Sequence, residues 1–377
     1  MSAPIDTRPG QRAENSDPSG PSASFAFVLC QPGAERALKR ELARSQPAWS
    51  PAYQRPGLVT FKLAEPASPA LALEAVFARQ HGISLGNQPD LAAVTAVLRS
   101  LPTPLCLHVV ERAPDDPDRA AASQRVSELE SDLRKRNVDR LSPTSKARAG
   151  QLVLTVVLGD EPTVLLGLHR HSGDRSPYPG GRYPIELPDE APSRAYLKIE
   201  EAIAAFQLPI EKGHSALELG AAPGGAVYAL LRRGVHVLAV DPAELDPMVL
   251  AYEGPDGARA QHLKLAAGDL QTAQLPPSID WLLLDVHLAP GVALRAASRF
   301  ASHYKRSLRG AVLTLKLNDW SFADRIDAYL AQARELGLVA PRAKQLTSHR
   351  QELCIAGLTR LGARAQAAAP TRAPRRR

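Results

Sequence analysis

Glu218-Leu-Gly-Ala-Ala-Pro-Gly-Gly225 is a glycine loop that closes a short apolar run, Ala216 to Leu219. A run of that length, bounded by turn residues, reads as a strand buried on both faces, and its glycines let the backbone approach a ligand closely. The pattern repeats outward from there. His236 to Val240, Trp281 to Leu284 and Ala311 to Leu315 are runs of the same kind separated by helical segments, the alternation of a doubly wound parallel sheet. Ligands of such sheets collect beyond the carboxyl ends of the strands, so Gly220, Asp241, Asp285 and Lys316 are expected on one edge. A final strand, Glu352 to Leu358, follows Ala340 to Leu346 after a short loop, which implies a hairpin. If it runs antiparallel, Glu352 arrives at the same edge.

The loop sequence narrows the ligand. A dinucleotide fingerprint reads G-x-G-x-x-G, and here Ala222 and Pro223 stand where a second glycine and free backbone would meet a pyrophosphate. A cofactor without phosphates fits better. Its expected contacts are Glu218, Gly220, Ala222, Pro223, Gly224 and Gly225, with Asp241 at the next strand end suited to a ribose diol. Asp269, in Ala266-Ala-Gly-Asp269 after a third candidate strand, could accept from an adenine amino group or simply cap a helix. Asp285 completes the expected cofactor set.

Lys198, Asp285, Lys316 and Glu352 form a candidate reaction centre. Two ammonium groups and two carboxylates suit proton removal from a very weak acid such as a ribose hydroxyl, a poor nucleophile at neutral pH. Singly, each has an ordinary explanation: Lys198 a solvent-facing helix residue, Asp285 a turn residue, Glu352 a strand-end charge. Lys316 is harder to dismiss, because it interrupts the apolar strand Leu313-Thr-Leu-Lys-Leu317 and burying its charge is costly. Lys316 either accepts the hydroxyl proton as a neutral amine, the preferred reading, or remains charged and stabilises the developing alkoxide. A neighbouring cation and two carboxylates pull its pKa in opposite directions, and the sequence leaves the net direction open.

Length and composition set the frame. The 377 residues suffice for two or three domains with buried cores. The longest apolar runs are far too short for a membrane helix, and the N-terminus shows no cationic stretch followed by an apolar core, so a cytosolic protein without membrane partners is expected. Cys30, Cys106 and Cys354 lack disulfide or zinc-ligand spacing. They read as reduced, buried strand residues, and no metal site is expected. His169 and His171 resemble a metal pair only superficially and read as exposed loop histidines. An excess of 46 Lys and Arg over 39 Asp and Glu, a formal charge of +7, favours a polyanionic partner. Part of that excess lies in the tail, at Arg364, Arg372 and Arg375 to Arg377.

The organisation read from the chain is a disordered segment over 1–24, a small α/β module over 25–100, a second over 101–175, a proline-rich linker over 176–192, the doubly wound domain over 193–362 and a basic disordered tail over 363–377. In the first module Phe25 to Cys30 and Leu58 to Leu63 read as strands, and Ala34 to Arg44 and Leu71 to His81 as helices. Ser127 to Arg136 reads as a helix whose Arg134 to Arg136 is a solvated face or an RNA contact. Ser193 is placed to cap the helix that buries Tyr196, Ile199, Ile203 and Phe206, with Lys198 off that stripe. His287 and His349 could flank the site, and Trp320 could stack a base or simply pack.

Ser176-Pro-Tyr-Pro-Gly, Ala191-Pro-Ser-Arg-Ala-Tyr-Leu-Lys-Ile-Glu-Glu201, Leu219-Gly-Ala-Ala-Pro-Gly-Gly225, Leu284-Asp-Val286, Leu315-Lys-Leu317 and His349-Arg-Gln-Glu-Leu353 together resemble the FtsJ-type ribose 2′-O-methyltransferases, most closely the RlmM family. The resemblance runs from Ser176 to the C-terminus. It implies a Rossmann-like seven-stranded domain that uses S-adenosyl-L-methionine, with Lys198, Asp285, Lys316 and Glu352 as the catalytic tetrad and a cytidine of 23S rRNA as substrate. The preceding region is similar in organisation to that family's ferredoxin-like and THUMP-type RNA-binding modules. Two positions depart from the pattern: Ala226 replaces the aromatic that commonly follows the double glycine, and Val286-His-Leu-Ala-Pro290 differs locally, which leaves tRNA or another rRNA nucleoside as a rival target. A noncatalytic RNA chaperone or assembly factor is the rival of another class, and an NAD-dependent enzyme is disfavoured by the loop; DNA is not an expected partner.

Overall fold

A computed structural model describes residues 21–114, 123–160 and 162–368. The expectations for residues 1–20 and for Arg372 and Arg375 to Arg377 lie outside the described residues. The chain builds two seven-stranded sheets.

The N-terminal sheet uses β1 (Ala23–Leu29), β2 (Ser50–Arg55), β3 (Leu58–Ala67), β4 (Gln80–Gln88), β5 (Cys106–Glu111), β6 (Leu152–Leu158) and β7 (Val164–Arg170), in the order β2-β3-β1-β4-β7-β6-β5. All pairings are antiparallel except β5 with β6. Strands from both sides of residue 100 thus share one continuous sheet. Helices α1 (Glu35–Ser45), α2 (Leu91–Ser100) and α3 (Gln124–Arg136) lie on one face: Leu38 and Leu42 are buried with Val28 and Phe61, and Val94, Leu98, Val126 and Leu133 with Ile83, Leu107 and Leu154, which the strand register aligns on the same side.

Two expectations fail in this half. Residues 71–79 are not helical, because Phe77 is drawn into the core while the Glu41 carboxylate accepts from the backbone N–H groups of Val76 (2.7 Å) and Phe77 (3.2 Å), pinning the segment against α1. His169 and His171 are not exposed: His169 lies within β7, paired with Val153 of β6, and both are buried. On α3, Lys135 and Arg136 form an exposed face, while Arg134 binds Glu130 at 2.8 Å and the Ser142 carbonyl at 2.7 Å.

The C-terminal half follows α4 (Ala195–Phe206) with β8 (Ser215–Leu219), α5 (Gly225–Arg232), β9 (His236–Val240), α6 (Pro247–Ala251), β10 (Ala260–Leu263), β11 (Trp281–Asp285), α7 (Pro290–His303), β12 (Gly310–Lys316), α8 (Ile326–Glu335), β13 (Leu338–Lys344), β14 (Glu352–Thr359) and α9 (Arg360–Ala368). The strand order is β10-β9-β8-β11-β12-β14-β13, parallel apart from β14, which runs antiparallel between β12 and β13. The expected hairpin is present. Helix α9 shortens the expected tail: residues 363–368 are helical, and Gln366 donates to the Gln207 carbonyl at 3.0 Å. Ser193 Oγ accepts from Ala195 N at 3.4 Å, but the capping position itself is Arg194.

One apolar core joins the halves. Val28, Leu38, Phe61 and Phe77 of the N-terminal sheet belong to the same buried cluster as Leu217, Leu282, Leu313 and Leu353 of the C-terminal sheet. Trp320 packs edge-on against Phe77 at 6.1 Å between ring centres, and Arg44 reaches Asp324 at 2.8 Å. Cys106 and Cys354 lie buried on β5 and β14, and Cys30 lies buried just after β1. Among the described residues no helix is long and apolar enough to cross a membrane, and no group of His, Cys, Asp or Glu has metal-binding geometry.

Candidate active site

Parallel strands β8, β9, β11 and β12 deliver their last residues to one edge, and antiparallel β14 delivers its first. The register pairs Lys316 with Glu352 directly and sets Asp285 opposite Thr314. Helix α4 crosses above and contributes Lys198, which projects off the buried stripe of Tyr196, Ile199, Ile203 and Phe206. All four side chains meet. Lys316 Nζ lies 2.6 Å from Asp285 Oδ1 and 2.5 Å from Glu352 Oε1; Lys198 Nζ lies 2.8 Å from Glu352 Oε2 and 3.2 Å from Asp285 Oδ2. Each ammonium bridges both carboxylates, giving a closed square of alternating charge.

The square is sheltered, with Lys316 only 7% exposed, so its attractions are screened less than surface pairs. Burial alone would lower the Lys316 pKa, yet Asp285 and then Glu352 reverse that and raise it above the usual lysine value. Lys316 is therefore an ammonium in the resting protein. Burial would likewise raise Glu352, but the surrounding positive groups, Lys198 and Lys316 among them, hold it down at about 2. His349, 2% exposed, is pushed by burial to about 4 and stands neutral near the square. It is sealed from solvent, unlike exposed His287.

The glycine loop lies beside this square. Gly220 adopts φ +83°, and a Cβ there would come 2.3 Å from the Asp285 carbonyl oxygen, so only glycine lets the end of β8 lie against the end of β11. Ala222 and exposed Pro223 form the bend, and Gly224 leads into α5 at φ +110°. Gly225 packs so tightly on the start of α4 that a Cβ would meet Ser193 Oγ at 2.3 Å. Asp241 is fixed by backbone donors, Ala222 N at 3.1 Å and Ala243 N at 2.8 Å, one to each carboxylate oxygen. Those oxygens keep lone pairs for further donors. Asp269 is exposed on a turn closed by its own N–H to the Ala266 carbonyl, and Gln271 rather than Asp269 caps the following 3-10 turn. Ala226 is buried in the core under α5.

Glu218 is 2% exposed, and its Oε2 has no hydrogen-bond partner. Burial first, then the nearby Asp285 and Asp241, push its pKa well up and favour the neutral acid, and Oε2 is left as an unused polar atom. An orphaned buried acid, a loop open only to glycine and an anchored Asp241 fit a cofactor with donor groups and a ribose diol. A cleft of about 650 Å³ between the two halves is lined by Glu41, Arg79, Arg175, Glu201 and Lys344 and includes none of the four square residues.

The FtsJ-like methyltransferase family model matches residues 191–290, which span the start of α4, the glycine loop and Asp285. A protein named ribosomal RNA large subunit methyltransferase M from Stenotrophomonas maltophilia is 30% identical over 362 residues, covering 87% of this chain and 95% of its own. This chain belongs to that methyltransferase M family. The namesake from Chromohalobacter salexigens is 32% identical over 290 residues, covering 69% of this chain and 76% of its own, and that from Marinobacter nauticus is 29% identical over 300 residues, covering 72% and 80%. The methyl donor of this FtsJ-like enzyme is S-adenosyl-L-methionine.

What the sequence did not single out is the support beneath the square. Gln31 and Glu201 both bind the loop that precedes Glu352. A glutamine two residues past a strand gives no signal of such a contact, because its acceptors lie more than 300 positions away.

Proposed function

We propose that this protein methylates a ribose 2′-hydroxyl of 23S rRNA, at a cytidine, in the cytosol, with Lys198, Asp285, Lys316 and Glu352 as its reaction centre. The observation that carries the reading is the alternating square of two lysines and two carboxylates beside a phosphate-free cofactor loop. The Stenotrophomonas maltophilia relative, named as a large-subunit rRNA methyltransferase, is matched over 95% of its own length, which supports the RNA class. Glu218, Gly220, Ala222, Pro223, Gly224, Gly225, Asp241, Asp269 and Asp285 are the residues proposed to hold S-adenosyl-L-methionine, which supplies an electrophilic methyl carbon. The N-terminal half, ferredoxin-like and THUMP-type in this reading, supplies RNA contacts.

Lys316 orients the 2′-hydroxyl for in-line attack. Its raised pKa favours the ammonium, against the neutral amine preferred from the sequence, so in this proposal it stabilises charge developing on the oxygen. As the new C–O bond forms and the methyl carbon's bond to the sulfonium sulfur breaks, releasing a neutral thioether, the hydroxyl proton passes to a carboxylate of the square, so the attacking oxygen carries partial negative charge. Lys198 holds both carboxylates in place. The rate is then level through neutral pH and declines when Lys316 loses its proton above its raised pKa. A rate that instead climbs with pH until Lys316 titrates would restore the neutral-amine role.

The test is transfer from labelled S-adenosyl-L-methionine to unmodified 23S rRNA and to tRNA, with nucleoside mass spectrometry. Label is expected at a cytidine ribose of 23S rRNA, with Lys316→Ala reduced about 10³-fold and cofactor affinity retained. Label on tRNA alone, on a base, or at full rate in Lys316→Ala would sink the reading.

A further inference from the structure

Between β13 and β14 the chain passes through Gln345 to His349, five consecutive residues that are all buried. A buried connection cannot give its backbone groups to water, so they need protein partners. Those partners come from two distant places. Gln31, 5% exposed and just past β1, directs its amide Nε2 at three carbonyl oxygens: Leu346 at 3.1 Å, Thr347 at 2.6 Å and His349 at 2.8 Å. Two N–H groups serve three acceptors, so one bond is shared. From the other direction, Glu201 takes the donors: Oε1 accepts from Thr347 N at 2.8 Å and Thr347 Oγ1 at 2.7 Å, and Oε2 accepts from Ser348 N at 2.7 Å.

Glu201 lies three residues after Lys198 on α4, a spacing that puts neighbouring side chains on one helix face. The same helix therefore fixes Lys198 in the square and the loop that leads to Glu352. Only Arg350 and Gln351 separate the clamped His349 from Glu352, and the Gln351 carbonyl accepts from Leu317 N at 3.0 Å, next to Lys316. A shift of the loop passes directly to the carboxylate that both lysines share.

We infer that Gln31, together with Glu201, is a positioning residue for methyl transfer: the amide from the N-terminal half clamps the Leu346–His349 loop and so sets Glu352 against Lys198 and Lys316. The inference rests on the reading of Glu352 as part of the reaction centre. It makes that centre incomplete without the N-terminal half, whose role then exceeds RNA capture. The acceptors dictate the side chain. Three carbonyls demand a donor, so an isosteric glutamate, which offers only oxygen, is worse than a truncation.

The test compares Gln31→Ala, Gln31→Glu, Gln31→Asn, Arg44→Ala and Glu352→Gln in the full chain, measuring kcat, KM for RNA, cofactor Kd and thermal midpoint. Gln31→Ala is expected to lower kcat up to about 100-fold, the scale of a misplacement near 1 Å, with cofactor Kd and RNA KM within about twofold. Gln31→Glu falls further and Gln31→Asn less. Arg44→Ala, which loosens the contact between the halves at the half-buried Asp324, leaves kcat unchanged. Wild-type kcat in folded Gln31→Ala, or a loss that only follows the thermal midpoint and is matched by Arg44→Ala, overturns the clamp. Should Gln31→Ala not fold, Gln31→Asn decides on the same criteria. Full activity in Glu352→Gln overturns the tetrad and the clamp together; an inactive Glu352→Gln beside a fully active Gln31→Ala overturns the clamp alone.

Discussion

The two sheets bury polar side chains in opposite ways. The C-terminal sheet buries charge, as the closed square of Lys198, Asp285, Lys316 and Glu352 at its edge. The N-terminal sheet buries neutral groups: Gln80 Nε2 lies 3.2 Å from His108 Nδ1 and donates to Thr155 Oγ1 at 2.9 Å across β4, β5 and β6, with His81, His169 and His171 nearby. Burying ions costs far more than burying neutral groups, even where, as at Gln80 Oε1, His81 Nε2 and His108 Nε2, a buried polar atom has no partner. A fold carries the first arrangement where chemistry needs it and the second wherever strands must be held in register.

The sharpest way to break this contrast is acid. His81 and His108 are held by burial at about 3, below the ordinary value of 6.5, and His169 is also held well below it. The unfolded chain therefore binds protons that these buried rings refuse, and stability falls as pH drops from 6.5 towards 3. At pH 5 the loss is about 2 kcal/mol for each of His81 and His108. Glu352 behaves differently. With its pKa depressed from 4.5 to about 2, its stabilising effect is complete above 4.5 and disappears only as pH falls through about 2. His349, at about 4, is the one buried histidine of the square's surroundings that joins the early loss. Hydrogen exchange at pH 5 is expected to open β4 to β7 before β11, β12 and β14. The reverse order would show that neutral burial is not the weaker design.

A single substitution tests the same point more gently. Gln80→Leu strips His108 and Thr155 of a buried partner and is expected to cost about 1–3 kcal/mol in denaturant unfolding, with kcat unchanged. A loss of kcat without loss of stability would mean that the neutral network reports to the reaction centre.

The contrast also explains what could be read in advance. Ala216 to Leu219, Trp281 to Leu284 and Ala311 to Leu315 are strands buried on both faces, so composition alone marks them, and once their parallel order is assumed Asp285 and Lys316 must share an edge. Glu352 joined them through a hairpin inferred from a short loop. The N-terminal sheet was harder because, beside the legible β1 and β3, some of its strands do not look like strands: β2 is exposed at every position, and β4 opens with Gln80-His81-Gly82. Leu71 to His81 has helical spacing, but the long-range contacts of Phe77 and Glu41 override it. His169 and His171 looked like loop residues because the strand partner that buries them, β6, is not visible from their own neighbourhood. Gln31 illustrates the limit, since only the folded chain puts it beside the loop before Glu352.

The smallest expected effect concerns Trp320, which could stack a base or merely pack. Its ring meets Phe77 edge-on at 6.1 Å, with an interplanar angle of 64°, an arrangement worth about 0.5–1.5 kcal/mol beyond buried area. Phenylalanine keeps an aromatic edge at that distance but loses the larger indole face. If packing between the halves is the role, Trp320→Phe lowers stability by no more than about 1 kcal/mol and leaves KM for RNA and kcat alone. If the indole is also a base platform, RNA affinity falls while the unfolding midpoint barely moves, because stacking on a nucleobase contributes about 1–3 kcal/mol to binding and nothing to the free protein. Measuring both quantities on one variant separates a residue that joins the two sheets from one that serves the substrate, and the burial of Phe77 beneath it favours the first.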